Sequence, residues 1–431
     1  LKYIKTLTAA ILAALLFILP FSSFAEENDG TEDIPLEKAT AYYIGTADGA
    51  KALKSSDLSA RFNPASTVKI MSGLLMCEFY ADRLDERINV TDDMVEGVTG
   101  RYVGMKKGSK PTVRDLLYLG FCGGFNDAVM ILGYNAYGSE LDFVTAMNRK
   151  AAELGMKDTF YSNSTGVHNA NNTTTLKDLK TLAVAAYQCK LYMTVTSAVS
   201  YSTEGLGTPF SFTNTNSLLT SGTYTNNLCR GMNAGNTPES GYGVVTVAEK
   251  NGVPYVCIVM GAQSDTKTTY SFAIANKLIA WAFNRYGTKT LIDTTLVVCE
   301  IPVSMSVKTK SVVVVPDDSV SAFIPLSYTL GNEITYEYEL FDETLDAPVE
   351  AGQKVGRITV YCEGSAIATV GLITKNAADK SDILEGMQKI KDFTSGDFFI
   401  GTCITAAVLT FLYLTALAFI RGSKKKKKSL K

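Results

Sequence analysis

Ser66 and Lys69 stand three positions apart in Pro64-Ala65-Ser66-Thr67-Val68-Lys69, at the mouth of the apolar run Ile70 to Met76. On a helix that spacing places both side chains on one face, a turn apart. A neutral lysine amine there can take the hydroxyl proton while the oxygen attacks a carbonyl carbon. Pro64 suits a fixed helix start. The first turn also offers backbone N–H groups that can hold an oxyanion. The pattern is short, and a capping serine beside a solvated lysine would produce the same text. The rest of the chain must decide between the two.

Two further stretches follow. Leu116-Leu117-Tyr118 leads into Gly124-Phe125-Asn126-Asp127-Ala128, and Gly231 to Gly243 reads GMNAGNTPESGYG. Together with Ala65 to Met71, their order and spacing resemble the three motifs of the serine D-alanyl-D-alanine carboxypeptidases, the low-molecular-mass penicillin-binding proteins. The resemblance runs from about residue 32 to 375. It implies an α/β (α+β) penicillin-binding and β-lactamase-like transpeptidase fold, followed by a small all-β domain and, beyond the resemblance, a C-terminal transmembrane helix.

The same resemblance implies a reaction. Ser66 would attack the terminal peptide carbonyl of a cell-wall stem peptide with Lys69 as base, expel D-alanine, and leave an acyl-enzyme for water. Asn126 would orient Lys69 and the substrate amide. Asn233, Ala234, Gly235 and Asn236 would form the substrate and oxyanion edge, with the N–H groups of Ser66 and Asn236 as oxyanion donors. Peptidoglycan stem peptides are the implied partners, β-lactams the implied acylating inhibitors, and no cofactor or metal is required. Two departures stand out. The second motif is normally Ser-x-Asn, and here Gly124 takes the serine position with no nearby serine to replace it. The third is normally Lys-Thr-Gly, and here Asn233-Ala234-Gly235 lacks both the cation and the hydroxyl. Arg230 lies three residues before Asn233, so on a strand it should face the other way.

The elements that must position these groups can be read in outline. Ala39 to Tyr43 reads as a strand. Ile70, Leu74 and Cys77, with Met71, Leu75 and Phe79, give the Ser66 helix an apolar face. Asp115 to Leu119 begins a further helical stretch, and Ser139-Glu140-Leu141-Asp142 has the form of a helix cap, with a stop at Gly155. Residues 156–180, rich in Asn, Thr and Ser, read as loop. Val244 to Glu249 and Tyr255 to Met260 flank Asn251-Gly252, the pattern of a hairpin. Thr269 to Tyr286 reads as an apolar helix. From about Thr290, short β-branched runs separated by Gly, Asp and Pro suggest the β-domain, which by resemblance holds the catalytic domain off the membrane.

The chain has 431 residues, with 41 Lys and Arg against 43 Asp and Glu. Residues 1–25 read as a secretory signal, with Lys2 and Lys5 before an apolar run and Ser23-Phe24-Ala25 at the cleavage position. Residues 26–37 read as a flexible lead-in, 38–288 as the catalytic domain, 289–378 as the β-domain and 379–397 as a juxtamembrane linker. Phe398 to Ile420 is 23 residues without a charge, about 34 Å as a helix and enough to cross a bilayer. The basic tail at 421–431 marks that end as cytoplasmic and the catalytic domain as extracellular. Without leader and tail, 32 basic residues face 43 acidic ones, a net of −11. That balance argues against polyanion binding, so no nucleic-acid partner is expected. The eight cysteines form no C-x-x-C pair or tight cluster, so no zinc site is suggested.

His168, the sole histidine, reads as a loop residue with nothing to bring it near Ser66. Asp127 reads as a structural partner of Asn126. Three functions fit the sequence: a carboxypeptidase of cell-wall biogenesis, an impaired or inactive homologue that binds stem peptides or a wall-synthesis partner, and a β-lactamase. The last is disfavoured, since no glutamate can be assigned to deacylation.

Overall fold

A computed structural model describes residues 33–428, with side chains placed through Arg421. The expected leader at 1–25, residues 26–32 of the lead-in and the last residues of the basic tail lie outside the described residues. The chain divides after Tyr286 into two compact units.

The first unit is built on an antiparallel sheet. Its strands are β1 (Ala41–Thr46), β2 (Ala52–Ser55), β3 (Cys229–Arg230), β4 (Ala234–Thr237), β5 (Gly241–Lys250) and β6 (Val253–Ala262). The order is β2-β1-β6-β5-β3, and β4 also pairs with β5. The hairpin read from alternation is β5-β6, turning at Asn251 and Gly252 with φ of 54° and 76°. These are the left-handed values a two-residue hairpin turn needs. Period-two alternation divides the two strands between cores. Val245, Val247, Val256, Ile258 and Met260 join a cluster with Val68, Met71 and Leu74. The alternate residues Val244, Tyr255, Cys257 and Val259 are also fully buried, on the opposite face. There, the Tyr255 ring packs at 4.6 Å, tilted by 40°, against Phe283 of the long C-terminal helix of the unit, Tyr270–Arg285. A sheet covered on both faces explains why both alternating sets of residues on these strands are largely apolar.

The helices that precede the Tyr270–Arg285 helix include α1 (Val68–Phe79), α2 (Val113–Leu117), α3 (Asn126–Tyr137), α4 (Glu140–Glu153) and α5 (Leu176–Gln188), with a short one at Lys190–Thr196. Ten consecutive residues of α1, from Val68 to Cys77, are buried. It is the central helix of the unit, inside the domain as its sequence requires. Helix α2 opens on a reciprocal capping box between Thr112 and Asp115, a motif that contributes about 1 kcal/mol. Ser139 caps α4 by accepting from Asp142 N–H. The loop read as running to residue 180 ends earlier. Thr175 accepts from Asp178 N–H and starts α5 at Leu176, a cap hidden among the surrounding threonines.

The second unit carries a six-stranded sheet with its own core, including Ile301, Val312, Val314, Ile358, Val360 and Leu372. Its strands pair antiparallel, apart from the parallel contact of Val303 and Ser304 with Leu345 and Asp346. After it come helices Asp382–Ser395 and Asp397–Lys428. The stretch Asp397–Arg421 has a mean hydropathy of 2.2 and is long and apolar enough to cross a membrane. All eight cysteines are unbridged.

Candidate active site

Ser66 sits in a single 3-10 turn, Ala65–Thr67, that runs directly into α1. Ala65 immediately before it has φ of 46°, a left-handed value for a residue with a side chain. Such a residue costs about 1–3 kcal/mol and persists only where neighbours enforce it. Here Asn63 does so. Its Oδ1 accepts from Ala65 N–H at 3.0 Å while its Nδ2 donates to the Asn169 carbonyl at 2.8 Å. Strand β4 lies against the serine from the other side. A Cβ on Gly235 would fall 2.5 Å from Ser66 Cβ and 2.7 Å from its Oγ, so only glycine permits this approach.

Lys69 is 4% exposed, and its Nζ donates to the Thr165 carbonyl at 2.5 Å. One turn on, Ser72 Oγ donates to the Ser164 carbonyl at 2.8 Å. Glu140 of α4 holds the same loop, accepting from Ser164 N–H at 2.8 Å and Oγ at 3.0 Å. The lysine is therefore fixed between its helix and a braced loop. Burial first, and the Arg101 guanidinium second, bring its pKa from 10.5 down to about 7. Both effects disfavour the ammonium. An amine of this kind is free base for a good part of the time at neutral pH, the state in which it can accept a proton.

Asn126 is the first residue of α3. Its Nδ2 donates to the Thr99 carbonyl at 2.6 Å and its backbone N–H to the Arg101 carbonyl at 2.7 Å. Its buried Oδ1 has no partner among the described residues. Asp127 does structural work next to it. Its carboxylate accepts from Val103, Gly104 and Met105 N–H at 2.9–3.2 Å. That nest shapes the loop presenting Arg101, whose Cζ lies 4.5 Å over the ring of Phe125. Arg101 makes no ion pair with another described residue.

At the second-motif position Gly124 has φ of 74°, and a Cβ there would lie 3.0 Å from Thr215 Cγ2. At the third, Asn233 is buried and its side chain is spoken for. Nδ2 donates to the Phe121 carbonyl at 2.9 Å, and Oδ1 accepts from Tyr192 OH at 2.5 Å. This neutral amide, satisfied at both ends, braces β4 from behind. Ala234 is buried, and Asn236 is exposed at the rim.

The structure brings Ser66, Lys69, Gly124, Asn126 and Asn233 to Asn236 around one cavity of about 670 Å³. Arg230 does not line it. His168 does, against expectation, and its Nδ1 lies 3.9 Å from Glu239 Oε2. Tertiary closure of the 166–169 loop brings it there. Sequence reading missed Arg101 and Thr215, which also line the cavity. The glycines at 97, 100 and 104 and the asparagines either side of Thr215 were the available signals. Arg101 has a testable consequence. Arg101→Gln removes a cation from beside Lys69, so the Lys69 titration followed by carbon NMR moves to higher pH. An unchanged midpoint would show that burial alone sets it.

A family model described as D-alanyl-D-alanine carboxypeptidase matches residues 29–264, and one described as the C-terminal domain of penicillin-binding protein 5 matches residues 286–380. The chain is 25% identical over 403 residues to the D-alanyl-D-alanine carboxypeptidase DacF of Bacillus subtilis, covering 91% of this chain and 98% of that protein. To the D-alanyl-D-alanine carboxypeptidase DacC of Escherichia coli it is 25% identical over 382 residues, covering 84% and 89%. The solved structure of penicillin-binding protein 5 from Haemophilus influenzae superposes with a TM-score of 0.56 at 21% identity, covering 80% of this chain and 98% of that one. At that identity the likeness speaks for the fold.

Proposed function

The chain belongs to the D-alanyl-D-alanine carboxypeptidase family, and from that premise we propose that it removes the terminal D-alanine of peptidoglycan stem peptides through an acyl-enzyme on Ser66. The observation that carries turnover in this copy is Lys69, buried, tethered and held at about pH 7. A chain that only bound peptides would have no use for a desolvated lysine one turn from a serine.

The cavity lining supports the following steps. Free-base Lys69 takes the proton of Ser66 as its Oγ attacks the scissile carbonyl. The developing oxyanion is held by the N–H groups of Ser66 and Asn236. Asn126 Oδ1, unpartnered at the cavity wall, orients the lysine or the substrate amide. Asn233 and Ala234 supply neither a charge nor a hydroxyl, so the substrate's terminal carboxylate falls to Arg101. Its guanidinium lines the cavity, keeps its charge at all working pH values and has no acidic partner among the described residues, and a planar fork suits a carboxylate. Water then releases the acyl group, with Lys69 again the base. β-Lactams present a strained cyclic amide carbonyl to Ser66 in place of the peptide bond and acylate it. The apolar helix after the β-domain anchors the chain in the cell membrane, with the catalytic unit on the extracellular face.

Incubation of the full chain with a fluorescent penicillin tests the nucleophile. The wild type is expected to carry covalent label and Ser66→Ala none. Label that persists in Ser66→Ala would remove Ser66 from its role.

A further inference from the structure

Expulsion of an amine requires a proton on its nitrogen, and position 124 cannot supply one because it is glycine. Thr215 stands beside that position, its Cγ2 methyl 3.0 Å from a Cβ built on Gly124. We propose that the hydroxyl of Thr215 performs the proton transfer that Gly124 cannot, carrying a proton to the leaving amine. This rests on the carboxypeptidase reading and deepens it.

Three observations converge on Thr215. It lines the cavity that holds Ser66, Lys69 and Asn126. Its Oγ1 is buried without a hydrogen-bond partner among the described residues. A buried hydroxyl in that state is costly unless something met in the cavity satisfies it. The residue is also held rigidly. Its N–H donates to the Cys122 carbonyl at 3.1 Å, tying it to the second-motif turn. Asn214 before it donates to the Thr196 and Ala198 carbonyls at 2.8 and 2.7 Å. Asn216 after it donates to the Gly231 carbonyl at 3.2 Å, and its N–H is accepted by Asn214 Oδ1 at 2.9 Å. Two buried asparagines thus clamp one threonine whose own hydroxyl is left unused by the fold. That is how a positioned group is built.

The transfer balances. Ser66 Oγ bonds to the carbonyl carbon and its proton passes to Lys69 Nζ. The C–N bond breaks with its electron pair staying on nitrogen. The Thr215 hydroxyl gives its proton to that nitrogen and is reprotonated by the Lys69 ammonium. Both side chains return to their starting states as D-alanine departs.

The test compares leaving groups. A peptide ending in D-Ala-D-Ala loses an amine, which needs the proton; a thioester analogue ending in thioglycolate loses a thiolate, which does not. Thr215→Val is expected to slow acylation by the peptide about 10²-fold and to leave the thioester nearly unchanged, with Thr215→Ser restoring the peptide rate. Thr215→Ala serves equally if valine disturbs the packing. Equal losses on both substrates would make Thr215 a packing residue and overturn the proposal. An undiminished peptide rate in a hydroxyl-free variant would overturn it too, and both results leave the carboxypeptidase reading intact. A wild type that hydrolyses neither substrate would instead overturn that reading, and this proposal with it.

Discussion

Lys69→Met is expected to slow acylation of Ser66 by about 10²–10⁴-fold, the range for a positioned general base, and at the same time to raise the melting temperature. The two effects have one origin. Burial and Arg101 hold the lysine at about pH 7 instead of 10.5, so folding removes a charge from water without an acidic partner. The sign of the pH dependence follows. Between about pH 7 and 10.5 the unfolded chain keeps a proton on this lysine that the folded chain has released, so the group's contribution to stability rises with pH across that window. Below about 7 the penalty of the buried ammonium is present in full. Methionine keeps the volume and removes the charge, and the gain in melting temperature is largest at acid pH. For the wild type, the acylation rate climbs through about pH 7 and levels above it, tracking the free amine. Stopped-flow labelling across pH and thermal melts of both proteins check the account. A variant that labels as fast as the wild type, or a wild-type rate flat from pH 5 to 9, would remove Lys69 as the base; those limits span about two units either side of its titration.

Gly235→Ala is expected to cost about 10²–10³-fold in the same labelling rate. The added methyl would stand 2.5 Å from Ser66 Cβ and 2.7 Å from its Oγ, separations that folded proteins do not sustain. Either β4 withdraws from the serine, taking the Asn236 N–H out of range, or the 3-10 turn carrying Ser66 shifts against the loop behind it. Both outcomes misplace Ser66 against the N–H groups proposed to hold the oxyanion. The cost falls on the rate more than on the fold, because among the described residues β4 pairs with β5 alone and Gly235 lines the cavity. Wild-type labelling by Gly235→Ala would mean that β4 is not part of the working site.

What could be read from the sequence was local. Ser66 and Lys69 lie one helical turn apart, so their common face follows from spacing alone. The β5-β6 hairpin follows from alternation and an Asn-Gly turn, and the capping of α4 from Ser139. Groups delivered by loop closure were not legible. Arg101 reaches the cavity because Asp127, twenty-six residues later, gathers three backbone N–H groups of its loop. Thr215 reaches it because flanking asparagines bond to carbonyls fifteen to eighteen residues away. His168 reached the cavity mouth by the same kind of closure. At position 233 the letter alone shows a missing cation. That the replacement amide is saturated by Tyr192 and Phe121, and so serves the fold, depends on partners distant in the chain.

The central claim is that this cavity turns over a D-Ala-D-Ala peptide without the usual serine and lysine of its second and third motifs. Release of D-alanine from a diacetylated tripeptide ending in D-Ala-D-Ala, measured for the full chain beside Ser66→Ala, tests it directly. The account predicts repeated turnover by the wild type and none by Ser66→Ala. A folded wild type that releases no D-alanine, or Ser66→Ala releasing it as fast, would contradict it.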